Sequence, residues 1–215
     1  MIRLLCLAIG YLFGLFQTSY ILGRVHGIDI REYGSHNAGT TNMLRTMGLK
    51  AGLLTFAGDC SKCILAVVLV RVIFGKTHAD ILPLLEFYAA AGTILGHNYP
   101  FYLGFKGGKG IAVTAAVVMS AANPIMIPIG LAIFVAAVAV TRYVSVGSLL
   151  VAWYIPFNTV IFHYHDEKFF HMVFISLLFT MFAYYQHRQN IVRLINGNEN
   201  KLWKSKSEKE AGANE

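Results

Sequence analysis

Apolar residues run in long blocks along this chain, interrupted by short polar stretches. The blocks cover 3–23, 51–74, 80–97, 110–122, 124–140, 144–163 and 168–187. A helix needs about 20 predominantly apolar residues to cross the hydrocarbon core of a bilayer. The pattern therefore predicts an all-α polytopic membrane protein with about seven transmembrane helices. The fourth and fifth blocks are separated only by the short turn in "AANPIMIP" (121–128). The first block is read as a retained helix. No small-x-small cleavage site follows it, and "QTSYILGR" continues straight into a polar stretch. Residues 1–200 are expected to form a single membrane domain. Residues 201–215 are expected to form a polar tail, disordered beyond Trp203.

The polar stretches are unequal. "GSHNAGTTNMLRTMG" (34–48), "GHNYPFYLGFKGGKG" (96–110), "TRYVS" (141–145) and "HRQN" (187–190) carry hydroxyls, amides, glycines and cations. Arg24, Arg31, Arg45, Lys50, Lys106, Lys109, Arg142, Arg188, Arg193 and the tail lysines fall on one side of a seven-span topology. Arg3, Arg71, Lys76 and Lys168 fall on the other, and Lys62 lies within a helix. Cytoplasmic loops carry the excess of basic residues, so the amino terminus is predicted outside and the carboxyl terminus inside. All four polar stretches then share the cytoplasmic face.

Composition agrees with lipid as the main solvent. Charged residues make up 13% of the 215, against about a quarter in soluble proteins, and the mean hydropathy is +0.55. The net charge of +7 suits anionic lipid or an anionic substrate. No basic stripe with interleaved aromatics points to nucleic acid. Cys60 and Cys63 form a CxxC, but within an apolar helix-length run, where packing is favoured over redox chemistry.

Short donors and an arginine in 34–48 suit an oxyanion, and an ordinary polar turn is the plainer alternative. "GFKGGKG" sets two lysines three apart among glycines at a helix start, where amides and the helix dipole favour phosphate. A flexible inside-positive loop is the plainer alternative. It is not a Walker A loop, which would need glycine at Leu103 and Ser or Thr at Gly110. Asp59 and Lys62, three apart within a span, are expected to satisfy each other on an inward face. "HYHDE" (163–167) has metal-ligand spacing but falls on the outer side, where a solvated loop is favoured, so no metal is assigned. There is no GxSxG elbow, no HxxxxD and no HExxH. Such a set suits chemistry that relies on positive charge and positioning more than on a protein nucleophile.

Taken in order, "GIDIREYGSHNAGTTNMLRTMGLKAG", "DCSKC", "GHNYPFYLGFKGGKGIAV", "TRYVSVGS" and "HRQNIVRLINGNE" resemble the bacterial acyl-phosphate-dependent glycerol-3-phosphate acyltransferases, from about Gly10 to about Asn200. The resemblance implies a cytoplasmic (inner) membrane enzyme without a cofactor. Its substrates would be acyl phosphate and sn-glycerol 3-phosphate, and its products lysophosphatidic acid and phosphate. His36 and Cys63 stand where the family usually has glycine, and Thr40 where a small apolar residue is common.

On this reading Ser35, Asn37, Thr41, Asn42 and Arg45 form one phosphate pocket, aided by the amides of Gly34 and Gly39. Lys106, Lys109 and the amides of Gly107 and Gly108 hold the other phosphate and the developing oxyanion. Arg142 and Ser145 close the site, while His187 and Asn190 bind glycerol hydroxyls or phosphate. The proton acceptor is His187, His97 or a substrate phosphate. A transporter or channel for a small phosphorylated anion would share the basic residues, but the halves show no internal repeat and the polar clusters lie at one face.

Overall fold

The first apolar block is two helices rather than one. In the computed structural model, which describes residues 1–203 apart from 122 and 124, α1 (Ile2–Gly14) stops and α2 (Thr18–Val25) restarts. A break inside an apolar run frees carbonyls that lipid cannot satisfy. The buried Gln17 side chain answers part of that need, donating to the Gly14 and His97 carbonyls at 3.2 and 3.0 Å. The other helices are α3 (Thr40–Phe74), α4 (Leu82–Asn98), α5 (Ile111–Ala121), α6 (Met126–Thr141), α7 (Val144–Val151), α8 (Tyr154–Phe162), α9 (Phe169–Gln186) and α10 (Arg188–Ile195). The described residues include no strand.

Among the described residues, five units are long and apolar enough to cross a membrane: Ile2–Val25, Thr40–Phe74, Ala79–Leu103, Val144–Phe162 and Phe169–Gln186. Each of the seven expected blocks contains helix, but the fourth and fifth are short. At about 1.5 Å per residue, α5 reaches only about 16 Å and α6 about 24 Å, less than a hydrocarbon core of about 30 Å. Val113, Ala116 and Val117 of α5 are buried in the core, so α5 is an inner half-helix. Large apolar side chains face outward along the spans, with Phe170 85% and Val140 83% exposed, as a lipid-facing surface requires.

Two glycine pairs set the central packing. Gly10 and Gly14 of α1 face Gly92 and Gly96 of α4, and the two helices run parallel with their backbones in contact. A Cβ on Gly10 would stand 1.9 Å from the Ala89 carbonyl oxygen, and one on Gly92 would stand 2.0 Å from that of Leu7. Small residues at four-residue spacing are how helices approach closely where lipid offers no hydrophobic drive. Around this seam, Cys60, Cys63, Val67, Leu85 and Phe87 build the apolar core, with Phe87 stacked on Phe179. Cys60 and Cys63 are free thiols, as the packing reading expects.

The second span begins earlier than expected, at Thr40 rather than near residue 51. "TTNMLRTM" is helical and joins the span through a kink at Gly48, whose φ of 85° and ψ of −178° only glycine adopts readily. The kink carries Arg45 on a short turn set off from the long apolar segment. Nothing lies within 4 Å of a Cβ built on Gly48, so Gly48→Ala tests backbone conformation alone. It should cost about 1–3 kcal/mol, read as a lower unfolding midpoint of the purified protein together with reduced activity.

Candidate active site

The segment before α3 is folded by its own side chains. Asp29 accepts from Arg31 at 2.7 Å and Arg24 at 3.1 Å, and these guanidinium contacts, Arg31 first, hold its carboxyl at about 2. Arg31 also donates to the Leu103 carbonyl at 3.1 Å, tying this segment to the glycine-rich loop. Asn42 reaches back from α3, donating to the Ile30 and Tyr33 carbonyls at 3.0 Å and accepting the Ser35 amide at 2.8 Å. The Asn42 side chain, expected on a phosphate, is therefore committed to shaping the loop. Gly34, at φ 59°, lies against Asn42 and does not line the cavity described below. The Gly39 amide, also expected on the anion, donates to the Asn37 carbonyl at 3.0 Å. What Gly39 supplies instead is an N-cap without a side-chain bond, so the start of α3 is uncapped. His36, the departure from the family's glycine, adopts φ 56°.

The glycine-rich loop corrects a second expectation. The Gly107 and Gly108 amides donate to the Asn98 and His97 carbonyls, both at 3.1 Å, and so are not free for an oxyanion. Glycine is needed at 108 for close approach, since a Cβ there would stand 2.1 Å from His97 Nε2. Lys106 is exposed and does not line the cavity, whereas Lys109, three residues on, does. The two lysines are not equivalent.

From the carboxyl-terminal side, His187 follows α9 and is buried. Its Nδ1 lies 2.8 Å from the Ala183 carbonyl, which only accepts, so Nδ1 carries the proton and Nε2 keeps its lone pair. Asn190, one turn into α10, accepts from Lys109 Nζ and donates to Glu199 at 2.6 Å. Glu199 also accepts from Arg193 at 2.7 Å and Ser145 at 3.1 Å. The Ser145 hydroxyl thus holds Glu199 in place. The chain then crosses the site: Arg45 donates to the Asn200 carbonyl at 3.0 Å, and the Leu202 amide donates to the Arg142 carbonyl at 2.8 Å. Residues 201–203, expected in the tail, continue this strap, and 204–215 lie outside the described residues. Arg142 does not line the cavity.

These segments enclose one cavity of about 500 Å³. One end is polar. Ser35, Asn37, Gly39, Thr41 and Asn42 at the start of α3 face Lys109, with Arg45, His97, Ser145, His187 and Asn190 completing the wall. The other end, between α3, α5, α6 and α7, is lined by Phe56, Met119, Ile127, Leu131 and Phe134. Residues separated by over a hundred positions thus share one bowl, while Gly34, Lys106, Gly107, Gly108 and Arg142 stand outside it.

Burial lowers the Lys109 ammonium to about 8, with Glu199 opposing the drop and Arg193 and Arg45 adding to it. Burial lowers the His187 imidazole to about 4, and Lys109 adds to the drop, so the ring is neutral at pH 7. Glu199 and Arg193 were missed as site residues. Their one visible signal is a carboxylate nine residues after Asn190 in an otherwise basic stretch. Asp59 and Lys62 pair at 2.9 Å, as expected. In "HYHDE", His163 contacts Asp166 at 2.7 Å, and no group of three or more His, Cys, Asp or Glu is placed for a metal among the described residues.

Comparison with known proteins agrees with this architecture. The glycerol-3-phosphate acyltransferase family model matches residues 4–197. The glycerol-3-phosphate acyltransferase of Clostridioides difficile (strain 630) is 40% identical over 199 residues, covering 92% of this chain and 94% of its own. That of Bacillus subtilis (strain 168) is 38% identical over 203 residues, covering 94% and 98%. Among solved structures, PlsY (YgiH), an integral membrane glycerol 3-phosphate acyltransferase, superposes in its glycerol 3-phosphate form with a TM-score of 0.79 at 27% identity, covering 93% of this chain and 94% of that one. Helices fit for a membrane, a cavity joining a cationic end to an apolar end, and full-length relatives all point one way: the chain belongs to the glycerol-3-phosphate acyltransferase family.

Proposed function

We propose that the cavity transfers an acyl group from acyl phosphate to the 1-hydroxyl of sn-glycerol 3-phosphate, releasing lysophosphatidic acid and phosphate. The observation that carries this reading is Lys109, a half-buried cation between an uncapped helix start and an apolar recess in one continuous cavity. The polar end suits two phosphate groups, and the apolar end suits one acyl chain. The relatives' names supply the acceptor, and the phosphorylated donor fits a site without a protein nucleophile. The charge asymmetry of the loops supports a cytoplasmic face for this end.

The α3 start, Ser35 and Arg45 hold one phosphate, and Lys109 stabilises charge on the other and on the carbonyl oxygen as it becomes an oxyanion. The acceptor hydroxyl hydrogen-bonds to His187 Nε2, which aims it at the carbonyl carbon. The new C–O ester bond forms, and the bond between the carbonyl carbon and the phosphate oxygen breaks. With its low basicity His187 holds a proton poorly, so the hydroxyl proton goes to a phosphate oxygen, whose second pKa is about 6 in a monoester. Acyl phosphate is already activated, so positioning supplies much of the acceleration.

Purified protein mixed with acyl phosphate and glycerol 3-phosphate in detergent should form lysophosphatidate without any membrane gradient. Folded protein that forms none would return the reading to transport. The pH profile follows from Lys109. Raising pH through about 8 removes its proton and its charge. kcat/KM, which reports the free enzyme, should therefore fall about tenfold per pH unit above that value. Lys109→Arg keeps its charge to beyond about pH 12, so its alkaline limb should vanish even where its absolute rate is lower.

A further inference from the structure

Lys62 lies in α3 with a side chain only 3% exposed, and its Nζ meets three acceptors from three elements. Asp59 Oδ1 is at 2.9 Å, the Phe16 carbonyl at 2.8 Å and His97 Nδ1 at 2.7 Å. The Phe16 carbonyl belongs to the break between α1 and α2, and His97 ends α4. An ammonium beside a carboxylate has three N–H donors and no lone pair. His97 Nδ1 must therefore accept, and the ring proton sits on Nε2. That nitrogen lies against Gly108, and His97 itself lines the cavity. The His97 carbonyl accepts the Gly108 amide, so the same residue anchors the loop that delivers Lys109.

We infer that Lys62, oriented by Asp59, is a positioning residue that fixes His97 as an Nε2–H donor toward the substrate oxyanion, with the proton placement opposite to that of His187. This assigns His97 a donor role and removes it as a proton acceptor. It also gives the intramembrane charge pair and the break in the first span one common purpose. The catalytic part of the inference rests on the acyl-transfer reading, while the proton placement stands independently of it.

The test uses the full-length protein in detergent, isotopically labelled at the histidine nitrogens, with the His97 signals assigned by their loss in His97→Gln. Nitrogen chemical shifts should show Nε2 protonated and Nδ1 unprotonated at His97 between pH 6 and 8, and the reverse at His187. In Lys62→Met the His97 signals should shift toward a mixture of the two tautomers. Its kcat should fall about tenfold to a hundredfold through lost positioning. In the His97→Gln background, Lys62→Met should cost less than about twofold more, because both changes act through one group. Wild-type His97 protonated on Nδ1 would overturn the inference, as would fully additive losses in the double variant. Where Lys62→Met fails to fold, the wild-type spectrum still decides the proton placement, and Asp59→Asn, which keeps the shape, repeats the comparison. A wild-type protein with the expected spectrum and no lysophosphatidate formation would refute the acyl-transfer reading and leave the proton placement standing.

Discussion

Lys109→Met should lower kcat/KM for acyl transfer about a thousandfold. The side chain is the half-buried cation of the glycine-rich loop, and it is held by Asn190, itself anchored on Glu199. In the proposed mechanism its charge stabilises the departing phosphate and the developing oxyanion, a role in which a preorganised donor is worth about a hundredfold to a thousandfold in rate. Methionine keeps the length and removes the charge, so the fold should persist. Lys106→Met is the matched control, since that lysine is exposed outside the cavity, and it should lose less than about tenfold through weaker long-range attraction of anions. Steady-state kinetics on the two purified variants, side by side, measure the contrast. Equal losses would mean that the cavity does not distinguish the lysines.

His187→Ala should lower kcat about a hundredfold while changing the KM for glycerol 3-phosphate much less. Its Nδ1–H is fixed on the Ala183 carbonyl, so Nε2 keeps its lone pair, which the proposed mechanism offers to the incoming hydroxyl. Loss of a correctly placed acceptor misaims the nucleophile, and misplacement by about 1 Å can cost about a hundredfold. The imidazole titrates near 4, so protonation would block the acceptor only in acid. Activity should therefore stay level from pH 6 to 7.5 as far as this residue is concerned. A variant retaining a tenth of the rate would remove His187 from this role.

Helix was legible in every apolar block, because lipid leaves few alternatives for a backbone. Span length was less so. The blocks at 110–122 and 124–140 read as spans by hydropathy, yet α5 packs against α3 and α4, and an apolar residue facing protein reads the same as one facing lipid. The helical start at Thr40 was hidden by polar composition, and its kink depends on a single glycine. At the site, residue types told which segments meet but not which group of each residue does the work. Asn42 and Ser145 look like ligands in sequence, and the fold uses their side chains to hold Ser35 and Glu199. The amides of Gly107 and Gly108 look free and are bonded to the end of α4. Glu199 was overlooked because an acid in a basic terminal stretch reads as tail, whereas three side-chain donors converge on it.

The proposed mechanism requires one shared cavity in which distant segments grip the same anion. Crystals grown with glycerol 3-phosphate would test this most directly. The phosphate should lie within hydrogen-bond distance of Lys109 Nζ or the first amides of α3, with the 1-hydroxyl toward His187 Nε2. Phosphate bound at Lys106, or anywhere outside the recess between α3, α9 and the glycine-rich loop, would contradict it.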